Sequence, residues 1–498
     1  MKRIVGISIV LFWFVMVGLL IRRTLPGSSP LPTTATPVDV AAPQTRTEEW
    51  MGIYHQDQKV GYIQRRLTPI DTGYQWEEQG RMKLRVLNTP QLVHTDVRAR
   101  TDRRYALTDF SFRMLSSGVV FQVTGEVGTH AGPSNGADTQ ELRGQITTGG
   151  ETSSFSFPLR EPIYLPATTQ MALRHTTLQP GEERRFSIFN PLSMRPDTVS
   201  ITTIGPETLL LNGKTLTATK IAEHFAGTTV HAWLDQDGKV VKEEAPLGLV
   251  LIRESQEDAL GGGWQDNTPL DLVASVAIPV QQPLLNPRVL SQLRLKLSGL
   301  SDHTSFTFPP RQQQQDRIIT ITQEKPSTLE TYSLPQTNSE FAPDLASTPF
   351  LQSTHPRLLA QAQQILGPER DALKAAHRLL DWTYTALEKV PTVSMPTALE
   401  VLQSQKGDCN EHAVLFTALA RAGGLPARVA AGVVYLDGAF YYHAWSEVWL
   451  GQWVAVDPAL GQFPADATHV KFLTGGPEEH LALLKVIGQL KMEVVDYQ

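Results

Sequence analysis

The hydrophobic period changes once along this chain, and that change constrains the fold more than any other feature. From residue 48 to about 255, apolar side chains alternate with polar ones, as in 81–86 (RMKLRV) and 92–97. That is the period-two signature of half-buried strands. From 355 onward the spacing turns helical: Leu358, Leu359, Ala362, Ile365 and Leu366 share one face, and 372–387, with Trp382 and Tyr384, make another. The order predicts an α+β chain, with an antiparallel β-rich domain over 48–255 and a helix-led domain over 350–498. Asp237-Gly238, between 230–234 and 239–243, predicts a hairpin with a type I′ turn. Residues 256–349 hold strand-like runs at 293–297 and 317–323, parted by Pro309-Pro310 and the glutamines at 312–315. They are expected to form a β-containing connecting module, with the glutamines in a solvated loop.

Residues 4–21, IVGISIVLFWFVMVGLLI, carry no charge and are flanked by Lys2-Arg3 and Arg22-Arg23. As a helix the run spans roughly 27 Å, close to the apolar thickness of a bilayer. A cleaved signal has a shorter apolar core followed by small residues, which Arg22-Arg23-Thr24-Leu25-Pro26 does not supply. The expectation is an uncleaved anchor over 1–23, a single pass through the inner or cell membrane. The amino terminus adds to Lys2 and Arg3 and favours an inside N-terminus, so the bulk of the chain is expected to be periplasmic or extracellular. Residues 24–47 combine five prolines with Ser, Thr and Ala and no aromatic residue, the composition of a semi-extended linker.

Composition narrows the chemistry. The net charge of −6 gives no electrostatic footprint for nucleic acid. One cysteine in 498 residues excludes an internal disulfide, an iron–sulfur cluster and a multi-cysteine zinc site. Any thiol chemistry therefore runs through Cys409.

Cys409 follows the loop Lys406-Gly407-Asp408 and opens an Ala- and Leu-rich helix ending at Gly423-Gly424, with Pro426 beyond. At a helix N-terminus the peptide dipoles favour a thiolate, Asp408 is placed to cap, and backbone N–H groups are offered to an oxyanion. Downstream, 428–435, 440–450 and 453–457 read as strands. Alternation puts His443, Trp445, Glu447 and Trp449 on one face. If 450–452 form a three-residue loop, Trp449 opposes Trp453 and Asp457 becomes the diagonal neighbour of His443. A two-residue loop would send Asp457 to the other face. A nucleophile, a base and a carboxylate in this order make a Cys-His-Asp arrangement, in which Cys409 attacks an amide carbonyl, His443 shuttles protons and Asp457 fixes the tautomer. Glu447, Trp445 and Asp408 are further candidates for contacts to substrate or behind these three. Glu411 and His412 invite a zinc reading, but neighbouring helical side chains diverge and a fourth ligand is not evident. No metal or cofactor is expected. The plain alternatives are an inert buried cysteine, a core histidine beside tryptophans, and a turn aspartate before Pro458.

Gly407-x-Cys409, the helix end RAGGLPAR at 421–428, His443-Ala444-Trp445-x-Glu447 and Trp453-Val454-x-Val456-Asp457-Pro458 together resemble the transglutaminase-like superfamily. The resemblance is carried by 396–461 and is expected to span 350–498; it does not reach the β-rich half. It implies a papain-like α+β core with Cys409, His443 and Asp457 as the triad, and members that cross-link, cleave or deglycosylate proteins. The expected function is a membrane-anchored extracytoplasmic thiol enzyme acting on peptide or protein amides through a thioester, by hydrolysis or acyl transfer. The alternative is an envelope binding or assembly protein, in which the β-rich region engages a partner and the C-terminal domain is a scaffold.

Overall fold

The period-two stretch builds one sheet. The computed structural model describes residues 45–86, 89–116, 118–131, 138–173, 179–225, 228–264, 270–300 and 304–498. The expected anchor over 4–21 lies outside them, as does the linker as far as residue 44. Among the described residues no helix is long and apolar enough to cross a membrane.

From Thr47–His55 to Glu151–Leu159 each strand pairs antiparallel with the next, and a second run leads from Ile163–Tyr164 back to Leu249–Glu254. The two runs join where Thr47–His55 pairs with Leu249–Glu254. The sheet curls, because strands far apart in its order share a core: Phe110, Phe121 and Leu142 pack with Phe189, and Phe155 stacks on Phe189 at 5.5 Å. The short helix Pro166–Ala172 puts Met171 into the same core. Thr228–Leu234 and Val240–Glu244 pair as a hairpin, but its turn is not the expected type I′. The Asp235 carboxylate accepts from the Asp237 and Lys239 amides and organises the loop instead. Positive φ at both central residues occurs at the other Asp-Gly, Asp437-Gly438.

Residues 256–349 do more than connect. Gln292–Ser298, Ile318–Thr322 and Gln312–Gln315 form a sheet whose fourth strand is Lys491–Tyr497, from the far end of the chain. The two segments thus share a sheet. The glutamines form a strand and not a loop; Gln313 and Gln315 are exposed on it, as expected, but Gln312 is not. Gln312 is buried, donates from Nε2 to the carbonyls of Phe306 and Lys471, and accepts from the Lys471 amide at 2.8 Å.

The C-terminal part places helices α1 (Pro356–Leu366), α2 (Ala372–Ala386), α3 (Ala398–Ser404) and α4 (Cys409–Ala422) on one side of strands β1 (Ala427–Leu436), β2 (Ala439–Trp449), β3 (Trp453–Val456) and β4 (Val470–Thr474). The pairing order is β3-β2-β1-β4. On α1 the expected face buries Leu358, Ala362 and Leu366, whereas Leu359 stays exposed. On α2 the buried face runs through Ala376, Leu379, Leu380 and Thr383, leaving Tyr384 exposed. α4 is buried almost all round; its alanines let it lie against β2, with Ala413, Phe416 and Leu419 in one core with Ala444 and Val448. The other side of β1 and β2 packs on the four-stranded sheet, joining Val433 and Phe440 to Leu293, Leu295 and Ile321.

Candidate active site

Asp408 fixes where α4 begins. Its carboxylate accepts from the Asn410 amide at 3.0 Å, while Glu411 Oε2 accepts from the Asp408 amide at 2.9 Å, a reciprocal capping box. Glu411 Oε1 in turn accepts from the hydroxyls of Thr392 and Ser394, which tie the preceding loop to the helix start. Burial, together with the charge of Glu411, pushes the Asp408 carboxyl well above the usual range. Asp408, a candidate for contact with substrate, is thus engaged as the cap.

Cys409 occupies the first helical position and is half-buried. The amide of Ala444, next to His443 in β2, pulls the thiol down. Burial outweighs that pull, and the carboxylates of Asp408, Glu411 and Asp457 add to it, so the thiol sits above its ordinary value. A nucleophile in that state needs a base beside it.

Trp449 pairs with Trp453 across residues 450–452, the three-residue-loop register. His443 Nε2 meets Asp457 Oδ2 at 2.7 Å, and Asp457 Oδ1 accepts from the amides of Ala459 (2.8 Å) and Leu460 (2.9 Å). Burial pushes Asp457 up, but the charge of His443 and hydrogen bonds from His443 and His469 prevail and hold it well below the usual carboxylate range. With Nε2 engaged, Nδ1 is the His443 nitrogen left for a thiol. Trp445 is buried and stacks on the His443 ring at 6.2 Å. Glu447, a second candidate for contact with substrate, is buried in an ion cluster instead. It accepts from Lys471 Nζ at 2.6 Å and from Arg428 Nε at 2.7 Å.

His412, one turn along α4, is fully buried, with Nδ1 at 2.6 Å from the Asp408 carbonyl, and burial pushes it down. Sequence reasoning missed His469 and Asp466. His469 Nε2 lies 2.9 Å from the same Asp457 Oδ2, and its Nδ1 is 3.1 Å from the Asp466 carbonyl. His443, Asp457 and His469 present ligand-type atoms within 4.8 Å of one another. Both imidazoles hydrogen-bond one carboxylate oxygen, so the trio is a hydrogen-bonded network and not a set of converging metal donors.

Residues 360–458 match the family model described as the Transglutaminase-like superfamily, and they run through Cys409, His443 and Asp457. The chain carries a transglutaminase-like domain. No curated protein is significantly similar to the chain. Among solved structures, "a Putative Cysteine Protease from Cytophaga hutchinsonii" is 18% identical, covering 42% of this chain and 85% of its own, with a TM-score of 0.28. A beta-barrel-like protein from Brucella abortus is 8% identical over 42% of this chain and 95% of its own, with a TM-score of 0.31. "A Putative Protease from Parabacteroides distasonis" is 11% identical over 78% and 70%, with a TM-score of 0.20. Similarity this low carries no weight for function. His469 and Asp466 lie beyond the stretch matched to the transglutaminase-like superfamily. Their one visible signal was Asp466 and His469 close together in the approach to β4.

Proposed function

We propose that the transglutaminase-like domain is a thiol enzyme for amide bonds in peptides or proteins, with Cys409 as nucleophile, His443 as base and Asp457 as its orienting carboxylate. The observation that carries the reading is the 2.7 Å His443–Asp457 bond, on the strand whose next residue, Ala444, offers its amide to lower the Cys409 thiol. In the forward step the thiol proton passes to His443 Nδ1, sulfur adds to the carbonyl, and the amine leaves with that proton, giving a thioester. Water or a second amine then attacks the thioester and releases Cys409. The Cys409 amide, at the first position of α4, is available to the oxyanion. We further infer that residues 4–21 anchor the chain in the cell membrane with its bulk outside the cytoplasm, because that uncharged run has the length of a bilayer core.

The test is a labelled protein substrate, assayed for released peptide and for incorporated amine, with the full chain and its Cys409→Ala variant. Loss of turnover in the variant supports the reading; equal turnover sinks it. A second reading puts the β-rich region to work. A concavity of about 870 Å³ on the curled sheet, bordered by Arg100, Asp109, Glu126 and Arg143, offers charges of both signs to an envelope partner. A Cys409→Ala chain that still rescues a deletion strain would favour it.

A further inference from the structure

Asp457 has two histidine partners, and the proposed chemistry uses one. His469 is completely buried and reaches Asp457 Oδ2 at 2.9 Å, against 2.7 Å for His443. Behind it, Asp466 is locked in place. Its Oδ1 accepts from the Thr468 amide and hydroxyl at 2.8 and 2.5 Å, and its Oδ2 from Arg288 Nη1 and Gln462 Nε2, both at 2.9 Å. Trp445 ties the two imidazoles together, stacking on His443 and meeting His469 in an edge-to-face contact at 5.3 Å. The row of groups is therefore Cys409, His443, Asp457, His469, Asp466, Arg288, supplied by α4, β2, the end of β3, the approach to β4 and the segment before Gln292–Ser298.

We propose that His469 is a positioning residue for the His443–Asp457 pair, a cation held between two carboxylates that anchors Asp457 Oδ2 and offsets its charge at His443. The idea rests on the triad reading above. A carboxylate oxygen that receives N–H bonds from two sides cannot swing toward either, so its direction at His443 is set before substrate arrives. The charge balance is equally specific. Asp457 and Asp466 are both held well below the usual carboxylate range, so two buried anions flank His469, one of them hydrogen-bonded to His443. Burial pushes His469 down, but its hydrogen bonds to Asp457 and Asp466 prevail and its net shift is upward. Arg288 supplies the second cation, and buried Arg311, which donates to the Asp466 carbonyl at 2.6 Å, is balanced by its own partner Glu324. His412 also lies in the field of Asp457, with burial pushing it toward the neutral form. With His469 charged, the row from Asp457 to Arg288 is neutral as a whole.

Iodoacetamide alkylation of the full chain reads this directly, because Cys409 is its one thiol and intact mass reports a single adduct. The rate against pH has an acid limb marking loss of the first proton from the Cys409–His443 pair. His469→Gln keeps a donor toward Asp457 but removes the charge, which lies 5.7 Å from the His443 ring. The limb should then move upward by about two pH units, the scale of one charge at that separation with a dielectric of about 20. Wild-type and His443→Ala chains with identical profiles would overturn the triad reading itself. A wild-type acid limb that His443→Ala abolishes and His469→Gln leaves in place would overturn only the inference about His469. The wild-type chain supplies a check that does not depend on the variant folding. Histidine-selective ¹⁵N labelling should show an imidazole doubly protonated at pH 8; a spectrum with every ring singly protonated there overturns the proposal.

Discussion

At the scale of single residues, the centre of the site is Asp457. Its two oxygens receive four N–H bonds: from His443 and His469 on Oδ2, and from the Ala459 and Leu460 amides on Oδ1. An asparagine has one acceptor oxygen and so cannot keep all four. Asp457→Asn is expected to slow amide turnover by about 10²-fold, the scale of misdirected general-base catalysis. A progress curve with the labelled protein substrate measures it, and circular dichroism checks the fold.

Among elements, the sheet that carries His443 is held by charge as well as by its ladder. Arg428 on β1, Glu447 on β2 and Lys471 on β4 form a cluster in which Glu447 and Lys471 are almost completely buried. Burial pushes Glu447 up, but the Lys471 and Arg428 charges prevail and keep it anionic. Glu447→Ala strands both cations and should cost about 3–5 kcal/mol in a urea titration. The same three strands show what could be read in advance. The His443–Asp457 register was legible because strands have a period of two and the Trp449-to-Trp453 turn has few possible lengths. His469 was not legible. The stretch from Pro458 to His469 follows no period, and Arg288, behind Asp466, comes from a segment with no motif. Gln312 was hidden for a related reason: the composition of its run reads as solvated, which fits Gln313 and Gln315, and only the partners of Gln312 in two other segments account for its burial.

For the whole molecule, the curled sheet and the transglutaminase-like domain meet beside the approach to Cys409. Thr148 Oγ1 donates to Glu400 Oε2 at 2.6 Å, Gln91 Nε2 to the Pro391 carbonyl at 3.0 Å, and Phe121 stacks on Phe350. Burial at this seam, with the charge of Glu411 adding to it, pushes Glu400 up to about 7 from 4.5. An acid raised in the fold favours folding while it is protonated, so this contribution is complete below the unfolded value near 4.5 and is lost as pH rises through about 7. Glu400→Gln removes the titration while keeping an acceptor for Thr148. It should raise stability at pH 8 by about 1–2 kcal/mol and leave it unchanged near pH 4.5, as thermal melts at the two values would show. The period change along the chain foretold two differently built halves; it did not foretell that Lys491–Tyr497 returns to pair with Gln292–Ser298. Nothing local marks a strand whose partner lies at such a distance in sequence.

The most direct test of the thiol reading is the rate at which iodoacetamide alkylates Cys409 at pH 6, compared between the full chain and His443→Ala. Burial holds the isolated thiol protonated, so reaction at that pH depends on transfer to His443. The account predicts that the wild-type chain reacts faster by about 10²-fold. Equal rates would contradict it.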